Sequence, residues 1–348
     1  MPVIIADENI PLINELFSHI GEIILLPGRE IDNRICQRAD ILLTRSVTKI
    51  NDALLKDTPV RFVGVACTGI DHVDTDYLNR HHIGFASAAG ANANSVAEYV
   101  MASLLTLHHR RKIDLDKVTL GIVGVGNIGS RIEQITQSWG IKTCCCDPIR
   151  AQMDTPFKSV DLQNLLSISD IISLHVPLTS TGSYPTHYMI DQPQLDLCKQ
   201  GAGLINMARG KVVNEAALKK AIKDNKMGSI VLDVWENEPD FDTELITLIE
   251  LATPHIAGYS WEGKIKGVLK IYTDLCGFLG ISDLKSKEID SQLNKINPNL
   301  TNNSWEDRYQ FFRQIVDIEQ DDQLFRSTLQ FDEIRKHYRT RREVSSQG

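Results

Sequence analysis

Short apolar runs alternate along the chain with segments whose apolar positions recur at helical spacing, a pattern that predicts parallel strands joined by crossover helices. The expected fold class is α/β. In the first ninety or so residues strands are predicted near Val3 to Ala6, Ile41 to Thr44 and Phe62 to Ala66, with helical stretches around Leu12 to His19 and Asn51 to Lys56. Ser95, with Glu98 three residues on, has the form of a capping box opening the apolar-faced segment Val96 to Leu107. A helix linking two domains would look like this. A second series runs from Val118 to about His255, with strand-like runs at Leu120 to Val123, Lys142 to Cys146, Ile171 to Leu174, Gly203 to Asn206 and Ile230 to Leu232. Glu262 to Leu279 reads as a further helix. Pro298, Asn299, Asn302 and Asn303 then mark a polar, turn-rich stretch, Trp305 to Ile318 is apolar-periodic, and Arg335 to Arg342 is basic.

The 348 residues allow two or three domains. With 42% hydrophobic and 24% charged residues the bulk should be globular rather than disordered. A formal net charge of -8 argues against a general nucleic-acid footprint, so a phosphate-bearing ligand must be held locally, and the basic tail reads as a solvated or subunit-contacting helix. No stretch approaches the roughly 18 uninterrupted apolar residues of a membrane span, and the start lacks the basic region of a secretion signal. Seven cysteines without paired metal spacings, three of them consecutive at Cys144, Cys145 and Cys146, fit a reduced, cytoplasmic setting and no metal site.

Gly124-Val125-Gly126-Asn127-Ile128-Gly129 follows the strand Leu120 to Val123 and opens the helix-period run Ile128 to Trp139. The first glycine permits a tight turn, the second lets backbone approach a pyrophosphate, and the third lets helix pack on strand, with the anion on the helix N-terminus. Asp147, ending the next strand run, stands where a carboxylate accepts the adenosine ribose hydroxyls and repels a 2'-phosphate, so NAD is the expected cofactor. His175, with Val176 and Pro177 after it, either lines the cofactor or packs at a strand end. Asp233 either touches the nicotinamide side or caps backbone amides.

Three polar residues fall where the second series should present strand ends: Arg209 after Asn206-Met207-Ala208, Glu238 before Pro239, and His255 in Thr253-Pro254-His255-Ile256-Ala257-Gly258. Ligand crevices in open α/β sheets lie beyond the carboxyl ends of strands. Removing hydride from an alcohol carbon needs a base for the hydroxyl proton, which a neutral imidazole supplies, a carboxylate to fix its tautomer, and a guanidinium to hold a substrate carboxylate. Taken singly, each has a plainer reading as a surface arginine, a loop glutamate or a turn-capping histidine.

The order of these motifs, Gly-x-Gly-x-x-Gly, His-x-Pro-Leu-Thr, Asn-x-x-Arg-Gly, Asp-Val-x-x-x-Glu-Pro and Thr-Pro-His-x-Ala-Gly, resembles the D-isomer-specific 2-hydroxyacid dehydrogenases across roughly residues 40 to 280. The resemblance implies catalysis by Arg209, Glu238 and His255. It also implies NAD lined by the glycine turn, Asp147, His175 to Pro177, Met207, Ala208, Asp233 and Gly258. A nearer likeness lies in Asp7-Glu8-Asn9-Ile10-Pro11, Arg45-Ser46-Val47-Thr48-Lys49, Gly258 to Lys264 and the ending Phe331 to Tyr338. It implies a phosphorylated four-carbon 2-hydroxy acid as substrate and a homodimer joined through a C-terminal domain. Arg209 with the backbone around Cys67, Thr68 and Gly69 would take the carboxylate; Arg45, Ser46, Lys49 and Tyr259 would take the phosphate end.

The architecture so implied has a flavodoxin-like substrate domain (1–93 and 258–281) and a Rossmann NAD domain (94–257), both doubly wound, plus a small α+β dimerisation domain (282–348). Competing readings are a dehydrogenase of 3-phosphoglycerate or hydroxypyruvate, with the same three residues, and an NAD-sensing corepressor.

Overall fold

The computed structural model describes residues 1–154, 156–293, 300, 303–339 and 341–344. Pro298, Asn299 and Asn302 of the turn-rich stretch lie outside the described residues. The chain divides into two compact units, Met1–Asn92 with Ser260–Lys295, and Ala93–Tyr259 with Ile296–Gly348.

The first unit is built on a five-stranded parallel sheet of β1 (Val3–Asp7), β2 (Glu22–Leu26), β3 (Ile41–Thr44), β4 (Phe62–Val65) and β5 (Gly84–Ser87). Its order is β2-β1-β3-β4-β5, the flavodoxin-like winding. The continuous apolar runs of β3 and β4 follow from burial on both faces. The helix Trp261–Leu279 begins where Ser260 Oγ accepts the Gly263 amide at 3.0 Å. It lays Ile265, Val268, Tyr272 and Leu275 into the same core as Ile4, Leu16 and Phe17, and the Phe17 ring meets the Tyr272 ring edge-on at 5.6 Å.

The second unit has a six-stranded parallel sheet in the order β11-β10-β9-β8-β6-β7. These strands are β6 (Thr119–Val123), β7 (Lys142–Cys146), β8 (Ile171–Leu174), β9 (Ala202–Asn206), β10 (Met227–Leu232) and β11 (Leu251–Ala252). The chain winds outward from β6 to β7 and then returns to the other side of β6 for β8. The strand order therefore reverses between β6 and β8, where open α/β sheets bind ligands.

The long helix of this unit spans Ala93–His109, and every residue from Ser95 to Leu107 is buried. The capping-box expectation for Ser95 and Glu98 is corrected here. The helix starts at Ala93, three residues before the expected Val96, Ser95 Oγ donates to the Ala257 carbonyl at 3.0 Å, and Glu98 Oε1 accepts the Val344 amide at 2.7 Å. Both side chains are spent on tertiary partners, so neither closes the helix end.

The described part of the tail forms helices Trp305–Ile315, Ile318–Thr328 and Phe331–Lys336 and adds no strand to either sheet. It is helical where α+β was expected, because Trp305, Tyr309, Phe312 and Val316 recur at helical spacing and pack together; Phe312 meets Trp139 edge-on at 5.7 Å. The segment 282–348 has no separate core among its described residues. Ile289 packs with the first unit's core, whereas Phe325, Phe331 and Ile334 are buried with strands of the second. No described helix is long and apolar enough to cross a membrane.

Candidate active site

All six strands of the second sheet are parallel, so the loops that follow them leave from one edge. Those loops carry Gly124, Asp147, His175, Met207 to Arg209, Asp233 and His255. One family of residues at strand ends thus becomes one surface.

The glycine turn matches the needs of a pyrophosphate. Gly124 has φ +83°, and a Cβ there would lie 2.7 Å from the His175 carbonyl oxygen. At Gly129 a Cβ would lie 2.1 Å from the Gly124 carbonyl, whereas at Gly126 it would meet nothing within 4 Å. Helix and strand close up at the third glycine, and the second leaves open room beside the N-terminus of the helix Asn127–Ser138.

Asp147 accepts the Val125 amide on Oδ2 and the Arg150 amide on Oδ1, both at 2.9 Å. Each carboxylate oxygen has a second lone-pair direction, so capacity for ribose hydroxyls remains. His175 bonds Ser173 Oγ through Nε2 at 2.7 Å, while its buried Nδ1 has no partner. Burial holds its pKa down, to about 3, which favours the neutral ring. An open glycine, an unspent carboxylate capacity and an orphaned ring nitrogen on adjacent strand ends fit a dinucleotide.

Glu238 and His255 are brought together. His255 Nδ1 and Glu238 Oε2 are 2.7 Å apart, and Glu238 Oε1 accepts the Trp235 amide at 2.9 Å. Burial is the largest influence on Glu238 and opposes its ionisation. The hydrogen bond and charge of His255, the Trp235 amide and the Arg335 charge together outweigh it, and the carboxyl lies below its ordinary value. His255 has φ +57°, a conformation that costs a non-glycine residue about 1 kcal/mol or more and must be imposed by its surroundings.

Asp233 helps impose it. This buried carboxylate accepts Thr253 Oγ1 at 2.6 Å, the Ile256 amide at 2.9 Å and the Ala257 amide at 3.0 Å, while the Asp233 carbonyl takes the His255 amide at 2.6 Å. Of the two readings of Asp233, the amide-capping one describes these contacts.

Arg209 leaves β9 in a loop braced by Asn206, whose amide group donates to the Arg209 carbonyl at 3.0 Å and whose Oδ1 accepts the Ala208 amide at 3.1 Å. Its guanidinium donates to the Ala208 carbonyl at 2.7 Å. The adjacent Gly210 lies so near Trp235 that a Cβ would fall 1.9 Å from the Trp235 carbonyl, which sets the arginine loop against the loop of Glu238.

Sequence reasoning missed two acids behind these loops. Buried Glu215 accepts the Glu236 amide at 2.7 Å, and Glu236 accepts the Glu215 amide at 3.3 Å, a reciprocal brace beneath Trp235. Tyr188 closes it by bonding Glu236 Oε1. Spacing along the chain carries no mark of this pairing.

In the first unit, Arg45 Nε donates to Asp7 Oδ2 at 2.9 Å, and Asp7 Oδ1 accepts the Asn9 amide. The opening acidic motif and the arginine loop are thereby one assembly. Ser46 is exposed beside it. Burial first, then the Arg45 charge, pull the Lys264 pKa down. Cys67 Sγ points to the Gly69 carbonyl at 3.3 Å, folding Cys67, Thr68 and Gly69 into a tight loop after β4. Tyr259 belongs to the second unit, where its hydroxyl takes Arg335 Nε at 3.3 Å.

Comparison with known proteins gives this geometry a context. Residues 84–257 match the family described as the D-isomer specific 2-hydroxyacid dehydrogenase, NAD binding domain, and residues 290–348 match a domain of unknown function. The erythronate-4-phosphate dehydrogenase of Proteus mirabilis (strain HI4320) is 38% identical over 353 residues, covering 99% of this chain and 93% of its own. That of Salinibacter ruber (strain DSM 13855 / M31) is 41% identical over 362 residues, covering 98% and 92%. Among solved structures, D-lactate dehydrogenase from Aquifex aeolicus complexed with NAD and lactic acid superposes with a TM-score of 0.65 at 25% identity, covering 82% of this chain and 97% of that one. NAD-bound 3-phosphoglycerate dehydrogenase of Entamoeba histolytica gives a TM-score of 0.68 at 24% identity, covering 80% and 95%.

Proposed function

Because the chain belongs to the D-isomer specific 2-hydroxyacid dehydrogenases, and within them to the erythronate-4-phosphate dehydrogenases, we propose that it oxidises 4-phospho-D-erythronate to 2-oxo-3-hydroxy-4-phosphobutanoate in pyridoxal 5'-phosphate (vitamin B6) biosynthesis. The observation that carries this reading is the 2.7 Å bond between the His255 ring and the Glu238 carboxylate at the ligand-facing edge of the NAD-binding sheet. NAD, when bound, accepts the hydride from the hydroxyl-bearing carbon.

His255 takes the hydroxyl proton on Nε2. Glu238 fixes the Nδ1–H tautomer and stabilises the imidazolium that forms. Arg209 holds the substrate carboxylate and polarises the oxygen that becomes the carbonyl. The cofactor is assigned to Gly124 to Gly129, Asp147, His175 to Pro177, Met207, Ala208 and Gly258. The phosphate is assigned to Arg45 and Ser46, with Lys264 added to them, and the substrate carboxylate to the loop Cys67 to Gly69. Tyr259 is kept as a substrate-facing donor.

A homodimer in the cytoplasm completes the proposal. Supporting it are seven free thiols, which suit a reducing compartment, and the exposed Leu324 and Leu329 on the tail. Size-exclusion with light scattering reads the dimer. For function, initial rates with 4-phospho-D-erythronate and with 3-phosphoglycerate decide: a clear preference for the four-carbon acid is expected, and equal or inverted rates would reject the substrate.

A further inference from the structure

Beyond Arg335, the basic run near the chain's end is absorbed by none of the roles above, and it lies within a stretch that matches a domain of unknown function. Lys336, His337 and Arg339 face outward, but Arg341 turns inward. Arg341 is 2% exposed, an unusual place for a guanidinium unless its donors are spent.

Nε and Nη2 are spent on the loop that follows His255 and on Ser95, while Nη1 has only the charge of Glu98 nearby and no hydrogen bond among the described residues. Arg341 Nε donates to the Tyr259 carbonyl at 3.1 Å, and Nη2 reaches the Ala257 carbonyl at 2.6 Å, the Ser95 carbonyl at 3.2 Å and Ser95 Oγ. Nη1 lies 3.6 Å from Glu98 Oε2, and the guanidinium stands 5.4 Å from the Tyr99 ring. The neighbouring chain is docked as well, with Val344 donating to Glu98 and Tyr338 bonding Asp321 at 2.8 Å.

Residues 255–259 are thus gripped from two sides by opposite charges. Asp233 collects the amides of Ile256 and Ala257, and Arg341 collects the carbonyls of Ala257 and Tyr259. A residue in the left-handed region, as His255 is, keeps that conformation only while its surroundings over-determine it. We infer that Arg341 is a positioning residue for catalysis: the C-terminal segment clamps the loop that aims the His255 imidazole. Lysine cannot replace it, because one ammonium does not reproduce the planar fork that serves carbonyls along two directions.

The inference rests on the proposed role of His255, and its test separates the two. In Arg341→Ala, kcat should fall about 10- to 100-fold, the scale of a small misplacement of a catalytic group. Added guanidinium ion should restore kcat in a saturable way. Hydrogen exchange should speed up at the Ile256, Ala257 and Tyr259 amides while the β6 and β8 amides stay protected. Should Arg341→Ala fail to fold, Arg341→Lys decides, with the same changes at smaller size. Unaltered kcat and unaltered exchange in a folded variant would overturn the clamp. If the parent protein turns over no 2-hydroxy acid, the proposed function falls, and the exchange measurement still judges the clamp alone.

Discussion

At the scale of single residues, chemistry and support are carried by side chains that look alike in sequence. His255→Asn should lower kcat/KM by roughly 10²- to 10⁴-fold, the range for loss of a general base, measured by NADH formation; a loss under tenfold would remove the base assignment. Asp147→Ser tests recognition with the helix cap retained, although the Val125 contact is lost with the carboxylate. Serine keeps the N-cap of the helix Pro148–Met153 but loses the carboxylate, so NAD should bind more weakly and NADP more tightly by calorimetry.

Glu215 gives a signed pH effect. Burial raises its pKa, the Glu236 amide pulls the other way, and nearby carboxylates add to the rise, to about 7 from 4.5. The folded state therefore binds a proton more readily than the unfolded one, and stability from this group falls as pH climbs from 4.5 to about 7, then levels. Glu215→Gln keeps an acceptor for the Glu236 amide. It should stabilise the protein at pH 8 by up to about 3 kcal/mol and by almost nothing at pH 4.5, as read by urea titrations at the two values.

The glycine turn was legible at this scale because its spacing states its backbone needs. Asp233 stood open between two roles, and Glu215 was invisible, because a carboxylate's partners lie 20 or more residues away in sequence and leave no local trace.

At the scale of elements, the buried strands β3, β4, β6 and β8 were readable as apolar runs. Three strands were not predicted. β2 sits at a sheet edge with Glu22 and Leu25 exposed, β5 reads Gly-Phe-Ala-Ser, and β11 has two residues. Periodicity cannot register strands as mixed as β5 or as short as β11, whereas β2 carries the apolar run Ile23-Ile24-Leu25-Leu26, a legible signal that sequence reasoning missed.

The helix Ala93–His109 shows a different failure. Ser95 and Glu98 satisfy the capping pattern, yet they are a socket for the tail, and a two-residue motif cannot tell one use from the other. Since this helix is covered on all sides, Leu105→Ala should cost about 2–5 kcal/mol, seen as a lower urea midpoint with an unchanged slope. A cost near zero would mean that the helix is not enclosed as described.

At the scale of the whole molecule, two units with separate cores should not melt as one two-state body. NAD at about 100 times its Kd should stabilise the unit Ala93–Tyr259 with Ile296–Gly348 by about 2.7 kcal/mol. Calorimetry should show that transition moving while the other stays in place, and equal shifts of both would contradict the assignment of NAD to one unit. The two doubly wound sheets were legible as alternating strands and helices. The allocation of the tail was not, since its apolar faces state that they need cover and not which core supplies it.

The Arg341 contact with the Tyr259 carbonyl spans 82 residues of chain, and the one with Ser95 spans 246. A ribosome adding about 5–20 residues per second releases the histidine loop some 4–16 seconds before the arginine that holds it. During that interval the nascent sheet, glycine turn included, is free to fold; on the proposed roles of the turn, His255 and Arg341, it would accept its nucleotide while the imidazole remains unaimed, and competence for turnover would arrive late in translation.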